Sequence, residues 1–496
     1  MAIVGFDPII VATVIIYLGA VILIGLWSTR ETDSTEDFLI TGKRFGIWAV
    51  SFATFASVMS GFGFIGGPGL FYSGGYAFLW IAIVAPLSIP MSWYVLGKRM
   101  RLLTEVKDVF TVPDAAYARF NSDTVRLVTA LAVLLGVISY LSVQIKSIGF
   151  VLAEILGTTQ LTALIIGMVV IGIYTVGGGM IAGVTTDLIQ GAVMVVASVL
   201  VFFATLQWGG GFAQMSQEIA LNKPKMAGAF GSFPVILGLC WYFLFIVGNS
   251  GQPHVEHKLF MLKDPKLLKW GPPIAGLSYF LSSLMMLGIG ISMRAAVEAG
   301  RLAPLQAADN AAPYFLAHFT PSILAGIVFA GTIGAIMSTS DAFINIGAAN
   351  LARDIPQSLG FKYKSDKQEL IANRIASAVI IIGSVILAYQ AEILVGILGV
   401  VGWGLFAATL VPILGIGLNW KGATKEGAIA GGITSLGLNL ILAVSSYLYG
   451  FSLPNGIVEG ALSLIVAIIV MIGVSFVTSS ESREELPDDI KNVIEA

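Results

Sequence analysis

Charge is scarce in this sequence. Asp, Glu, Lys and Arg make up 11% of its 496 residues, whereas ordinary soluble domains carry about a quarter. A water-soluble surface cannot be built from so few. Alternation is missing too: runs such as Met168 to Val176 and Ile457 to Val477 do not alternate apolar with polar residues. A transmembrane barrel, whose strands alternate over about ten residues, is thereby excluded. There is one cysteine, Cys240, inside an apolar run, so no internal disulfide can form. The net charge of -2, with no basic aromatic patch, gives no footprint for nucleic acid. The first apolar run, Pro8 to Trp27, has neither a basic leader nor a small-residue cleavage site. It reads as a retained helix and not as a signal peptide.

What remains is hydrophobic length. Hydrophobic residues make up 56% of the chain, and runs of roughly 20 residues, enough to cross a hydrocarbon core of about 30 Å, recur along it. The pattern predicts an all-α polytopic membrane protein with about thirteen transmembrane helices, near 8–27, 46–74, 76–97, 125–153, 161–176, 183–207, 233–256, 273–297, 322–352, 371–389, 393–418, 426–448 and 458–478. With the N-terminus outside, the inner loops hold Arg30, Lys43, Arg44, Lys98, Arg99, Arg101, Lys107, Arg119, Lys258, Lys263, Lys266, Lys269, Arg353, Lys362, Lys364 and Lys367. The outer loops offer little beyond Lys223, Lys225 and Arg301. The positive-inside rule then places the protein in the inner (plasma) membrane with its C-terminus in the cytoplasm. The mostly acidic tail, 479–496, reads as a solvated end.

Two spans carry breaks. Span 2 contains Ser60-Gly61-Phe62-Gly63-Phe64-Ile65-Gly66-Gly67-Pro68-Gly69, and span 7 contains Gly248-Asn249-Ser250-Gly251-Gln252-Pro253-His254. No uninterrupted helix favours such glycine and proline density, and irregular backbone at membrane depth survives only where it is buried or lines a cavity. The broken spans open two consecutive five-helix units of opposite orientation, 46–207 and 233–418. They are preceded by a first helix and cytoplasmic loop in 1–45 and followed by two helices in 426–478. Paired breaks in an inverted repeat point to a midplane binding site. Close helix packing through Gly-x-x-x-Gly spacing is the competing explanation for either break alone.

At these residues the sequence resembles the sodium/solute symporter family, which includes proline, pantothenate, monocarboxylate, sialic acid and sugar symporters. The resemblance covers nearly the whole chain. It is carried by Gly42-Lys43-Arg44-Phe45-Gly46, by Ser60-Gly61 with Gly66-Gly67-Pro68-Gly69, by Thr185-Thr186-Asp187-Leu188-Ile189-Gln190-Gly191, by Gly251-Gln252-Pro253-His254 and by Ala335-Ile336-Met337-Ser338-Thr339. It implies a leucine-transporter-like 5+5 inverted-repeat core with one extra N-terminal and two extra C-terminal helices. It also implies alternating access around a central site, with Na+ as the coupling ion and no organic cofactor. The expected partners are a small solute, sodium and the lipid bilayer, with no obligatory protein partner, and the expected role is transport and not catalysis.

By the same resemblance, sodium is held by carbonyls of Ala56, Met59 and Ala335 and by the hydroxyls of Ser338 and Thr339. The bland alternative is that the two hydroxyls bond back to their own helix. Asp187 and Asp341 are carboxylates in or near spans, where a charge costs at least about 2.5 kcal/mol and marks a functional interior. They form a candidate second cation or proton site, against a plain N-cap role for Asp187. That second site normally needs further hydroxyls where this chain has Asp341 and Ala342, and the proline symporters place an aspartate where this chain has Val58.

The expected substrate set is Ser57, Ser60, Gly61, Tyr140, Gln144, Lys146, Phe245, Asn249 and Gln252. Lys146 either faces the cavity, pairing with a substrate carboxylate, Asp187 or Asp341, or snorkels to the outer interface toward Glu154. Phe245 and Asn249 replace a tryptophan and a tyrosine of the proline symporters. With Lys146 and Asn249 in the cavity, a small carboxylate such as a monocarboxylate, a pantothenate-like acid or an amino acid is favoured. Proton coupling through Asp187 and Asp341, a sensor and a channel are the alternatives. His254-Val255-Glu256-His257 lacks the spacing of a zinc protease.

Overall fold

The computed structural model describes residues 7–28, 45–478 and 486–496, with the side chains of 21–22, 24–28, 173–185, 265, 366 and 447 outside the description. Its principal helices are α1 (Pro8–Ser28), α2 (Ile47–Gly61), α3 (Gly67–Gly74), α4 (Leu79–Ser92), α5 (Lys98–Val106), α6 (Val112–Phe120), α7 (Asp123–Leu156), α8 (Gln160–Gly209), α9 (Val235–Gly248) and α10 (Pro253–Phe260). These are followed by α11 (Gly271–Glu298), α12 (Ser322–Ala349), α13 (Asp366–Gln390), α14 (Val395–Leu410), α15 (Lys425–Tyr449), α16 (Glu459–Thr478) and α17 (Asp488–Glu495). Among the described residues the only isolated β-bridge joins Phe45 to Leu262.

Ten of the described helical runs are long and apolar enough to cross a membrane, and Pro8–Ala20 and Gln160–Gly172 are shorter apolar helices. The sequence count of thirteen is therefore not reproduced as a count. Spans 2 and 3 fall within one run, Ile47–Val106, and spans 5 and 6 both fall within α8. Arg30 and Gly42–Arg44 lie outside the described residues. Helix starts follow side-chain caps where the sequence supplies them: Ser122, Thr159, Ser365 and Thr424 each accept a backbone N–H from the first turn of α7, α8, α13 and α15.

Both expected breaks are present. Ser60 adopts φ 40° and ψ -170°, a left-handed setting that a non-glycine residue keeps only when its surroundings impose it. In the second break, Asn249–Gly251 forms a tight turn and Gln252 is extended at φ -96° and ψ 107° before Pro253 starts α10. Proline is tolerated there because the first helical N–H has no intrahelical partner.

The tail departs from its expected solvated state. Residues 479–485 lie outside the described residues, but α17 docks against α5 with Ile490, Val493 and Ile494 at most 4% exposed. The i, i+3, i+4 spacing puts these three on one face. Lys107 Nζ lies 2.7 Å from Asp489 Oδ2, Lys421 pairs with Glu495, Arg99 Nε donates to Ile494 O at 3.2 Å and Lys98 Nζ donates to Ala496 O at 3.0 Å. Exposed ion pairs contribute little, whereas burying a large apolar side chain contributes roughly 1.5–3 kcal/mol, so the apolar face holds the helix. Ile490→Asp should release α17, seen as faster limited proteolysis of the C-terminus with the rest of the chain intact. An unchanged cleavage rate would show that the charged contacts suffice.

Candidate functional site

An unbroken α2 would send the Gly61 N–H to the Ser57 carbonyl. Instead it donates to Gln144 Oε1 of α7 at 2.8 Å, and the Ser57 carbonyl accepts from Thr339 Oγ1 of α12 at 3.2 Å. The break at Ser60 is thus exchanged for two tertiary bonds, one to each neighbouring helix. Gly61 is needed for the first: an added Cβ would lie 2.5 Å from Ser147 Oγ.

Of the residues expected around sodium, Thr339 is the one bonded at this junction. Ala56, Met59, Ala335 and Thr339 are fully buried and Ser338 is nearly so. Thr339 Oγ1 shares its proton between Ser57 O and Ala335 O, the latter at 2.8 Å, so it bridges α2 and α12 besides bonding back to its own helix. The hydroxyl oxygens of Ser57 and Ser338 are buried and have no hydrogen-bond partner. A buried polar atom without a partner is costly, and these two stand on α2 and α12, the helices that Thr339 joins.

Around the breaks stands an aromatic wall. Tyr140 of α7 lies 5.2 Å from Phe343 of α12, 6.1 Å from His254 of α10 and 6.4 Å from Trp403 of α14, ring centre to ring centre. Phe245 of α9 lies 5.1 Å from Trp403 and 6.0 Å from Phe62. Facing these rings are further buried polar atoms without partners: Tyr140 Oη, Gln144 Nε2, Gln252 Oε1, Trp403 Nε1 and both ring nitrogens of His254. Gln252 Nε2 is engaged, donating to Gly248 O at 3.0 Å and to Trp403 O at 3.2 Å. Of this set Trp403, Phe343 and His254 were not among the expected site residues. The only local signal was Gly402-Trp403-Gly404, a tryptophan flanked by glycines that let α14 approach. A Cβ on Gly402 would sit 3.2 Å from Tyr140.

Two expected members do not join the cluster. Asn249 Nδ2 turns to α4, donating to Ser88 O at 3.1 Å and Ser92 Oγ at 2.8 Å, where it fixes the second break. Lys146, two turns beyond Tyr140 on α7, donates to Ala391 O at 2.7 Å and to Ile393 O. It pairs with neither Asp187 nor Asp341, and Glu154 lies near His318 instead. Asp341 Oδ1 accepts from Asn345 Nδ2 at 3.2 Å.

Lys146 lines a cavity of about 320 Å³ at the far end of α7, together with Gln160, Asp309 and Glu392. Asp309, which the sequence reading missed, caps α14 there: its Oδ2 accepts the Val395 N–H at 2.9 Å. The segment Ala308–Asn310 packs on α3, where Gly69 makes room, since a Cβ would lie 2.6 Å from Asp309 Oδ1. Burial pushes the Asp309 carboxyl up to about 6, against the opposing pull of the Val395 N–H and of Lys146. A raised carboxyl means the folded chain holds the proton more tightly than the unfolded chain. The stability this supplies is complete below about pH 4 and is lost as pH rises through about 6. The melting temperature of Asp309→Asn relative to the native chain should therefore climb between those limits and level off above them; parallel curves would remove Asp309 from the account.

Comparison with known proteins identifies the family and the fold. The chain is 27% identical over 476 residues to the osmoregulated proline transporter of Bacillus subtilis, covering 94% of each. It is 26% identical over 447 residues to the sodium/pantothenate symporter of Haemophilus influenzae, covering 87% of this chain and 90% of that one. Among solved structures, a Na+-coupled sialic acid symporter in a substrate-bound outward-open state superposes with a TM-score of 0.75 at 20% identity, over 96% of this chain and 98% of that one. A nucleobase-cation symporter in a closed conformation superposes at 0.56 with 12% identity, over 94% and 99%. The fold is leucine-transporter-like. A model of the sodium:solute symporter family matches residues 38–435, and the chain belongs to that family.

Proposed function

We propose that this protein imports a small organic carboxylate with sodium by alternating access, across the plasma membrane in which its N-terminus faces outward and its C-terminus the cytoplasm. The observation that carries the reading is the convergence of unpartnered buried polar atoms on the two broken helices, Ser57 and Ser338 at one junction and Tyr140, Gln144, Gln252, His254 and Trp403 along the aromatic wall. Units 46–207 and 233–418 are the two halves that move against each other around it.

Sodium needs hard oxygen ligands. The carbonyls of Ala56, Met59 and Ala335 with the hydroxyls of Ser338 and Thr339 supply them, and no side-chain carboxylate is required. The ion then ties α2 to α12, so its binding favours the geometry in which Gly61 and Gln144 also meet the solute. Relatives that are proline and pantothenate transporters make a carboxylate the common chemistry. With Lys146 held at Ala391 and Ile393, neutral donors receive it: Gln144 Nε2, Tyr140 Oη and Trp403 Nε1. Rings of Phe245, Phe343 and Trp403 enclose the apolar body.

The test is the melting temperature of the purified protein with a panel of small acids and amino acids, each in sodium and in potassium. A ligand of the native state raises it by mass action. One carboxylate should give a shift that requires sodium, and Thr339→Ala should sharply weaken that sodium-dependent shift while the chain still melts cooperatively. A solute shift equal in potassium, or a sodium response unchanged in Thr339→Ala, would overturn the assignment.

A further inference from the structure

Lys258 was expected in an inner loop. It lies instead on the last turn of α10, 3% exposed, with its Nζ 2.7 Å from Asp187 Oδ2 of α8. Asp187 is itself 1% exposed and its Oδ1 has no hydrogen-bond partner. One turn further along α8, Gln190 lies against α12, since a Cβ on Gly334 would meet Gln190 Cδ at 3.1 Å. Asp187 is therefore on a helix packed against α12, which carries Ser338 and Asp341, and by the family resemblance it is, with Asp341, the candidate carboxylate for a second coupling cation. An ammonium already stands on it.

We infer that Lys258 is a resident cation that occupies Asp187 in place of a second sodium, so that this chain couples transport to one sodium ion and Lys258 is the residue that decides it. The inference rests on the sodium-coupled reading above. A sodium bound to Asp187 would sit within a few ångströms of the ammonium, both in a water-free interior where like charges repel far more strongly than in water. The end of α10 favours a lysine there, because helix C-termini carry negative potential. Neutralising Asp187 by a tethered charge also meets the rule that a buried carboxylate must be paired, without drawing an ion from solution. The missing hydroxyl at Ala342 is consistent with this: an ammonium already bound to the carboxylate needs fewer neighbouring oxygens than a bare cation does.

The experiment uses the full-length purified chain and sodium chloride as the only ligand, with choline chloride holding ionic strength constant. The slope of melting temperature against the logarithm of sodium concentration counts ions bound to the native state. The native chain should show the slope of one ion. Lys258→Gln should double the slope, because Asp187 is left to recruit sodium. Lys258→Arg and the double variant Asp187→Asn with Lys258→Gln should return to one. A native slope of two ions would overturn the proposal while leaving sodium coupling in place, and a native slope of zero would instead overturn the sodium reading itself. A Lys258→Gln slope that stays at one would likewise overturn the proposal about Lys258 and leave sodium coupling in place. Should that variant fold only at high sodium, the dependence is itself the predicted behaviour, and the double variant, which lacks the unpaired charge, should then fold without sodium.

Discussion

A hydrocarbon interior offers no water to a peptide group, so every break in a spanning helix must be closed by another part of the protein. In this chain that constraint is met at Ser60 by Gln144 from one side and Thr339 from the other, which take the Gly61 N–H and the Ser57 carbonyl. The second break is met by Asn249 reaching Ser88 and Ser92. These bonds join the broken helices to the helices that surround them, and they bring the carbonyls of the break, the hydroxyls of α12 and the aromatic wall into one place. A ligand site here is the consequence of making a broken helix tolerable.

Three buried charged groups around the breaks each have a partner in the fold. Asp309 is buried but engaged at the start of α14, Lys146 is engaged at Ala391 and Ile393, and Asp187 is engaged by Lys258. Ser57, Ser338, Tyr140, Gln144 Nε2 and Trp403 Nε1 are not engaged, and all lie at the junction of the breaks. On the proposed reading, these three charges hold the frame while neutral oxygens and nitrogens face the sodium ion and the carboxylate.

Much of this was legible in the sequence. Hydropathy gave an all-helical membrane fold, though not its count of thirteen spans, because apolar length is a local property, and the glycine and proline clusters gave both breaks because they are the residues that interrupt helices. The Ala335 to Thr339 stretch gave the two α12 hydroxyls, since polar atoms in an apolar run stand out. What was not legible depends on contacts between distant segments. For Lys146 the polar neighbours left the substrate site and the outer interface both open, and its partners are carbonyls 245 and 247 residues away. Lys258 looked like a loop lysine because its partner is 71 residues away. Trp403 and Asp309 gave little sign of their roles for the same reason. The tail was a different failure: the apolar spacing of Ile490, Val493 and Ile494 was present in the sequence, and the acidic residues around it concealed it.

The central claim is that sodium and a small carboxylate move together through this junction. Its most direct test is uptake of a radiolabelled carboxylate into sealed proteoliposomes containing only this protein, with the membrane potential clamped and an inward sodium gradient imposed. The account predicts transient accumulation above the external concentration that disappears when a sodium ionophore collapses the gradient and is absent with a potassium gradient of equal size. Accumulation driven equally well by a proton or potassium gradient, with sodium without effect, would contradict it.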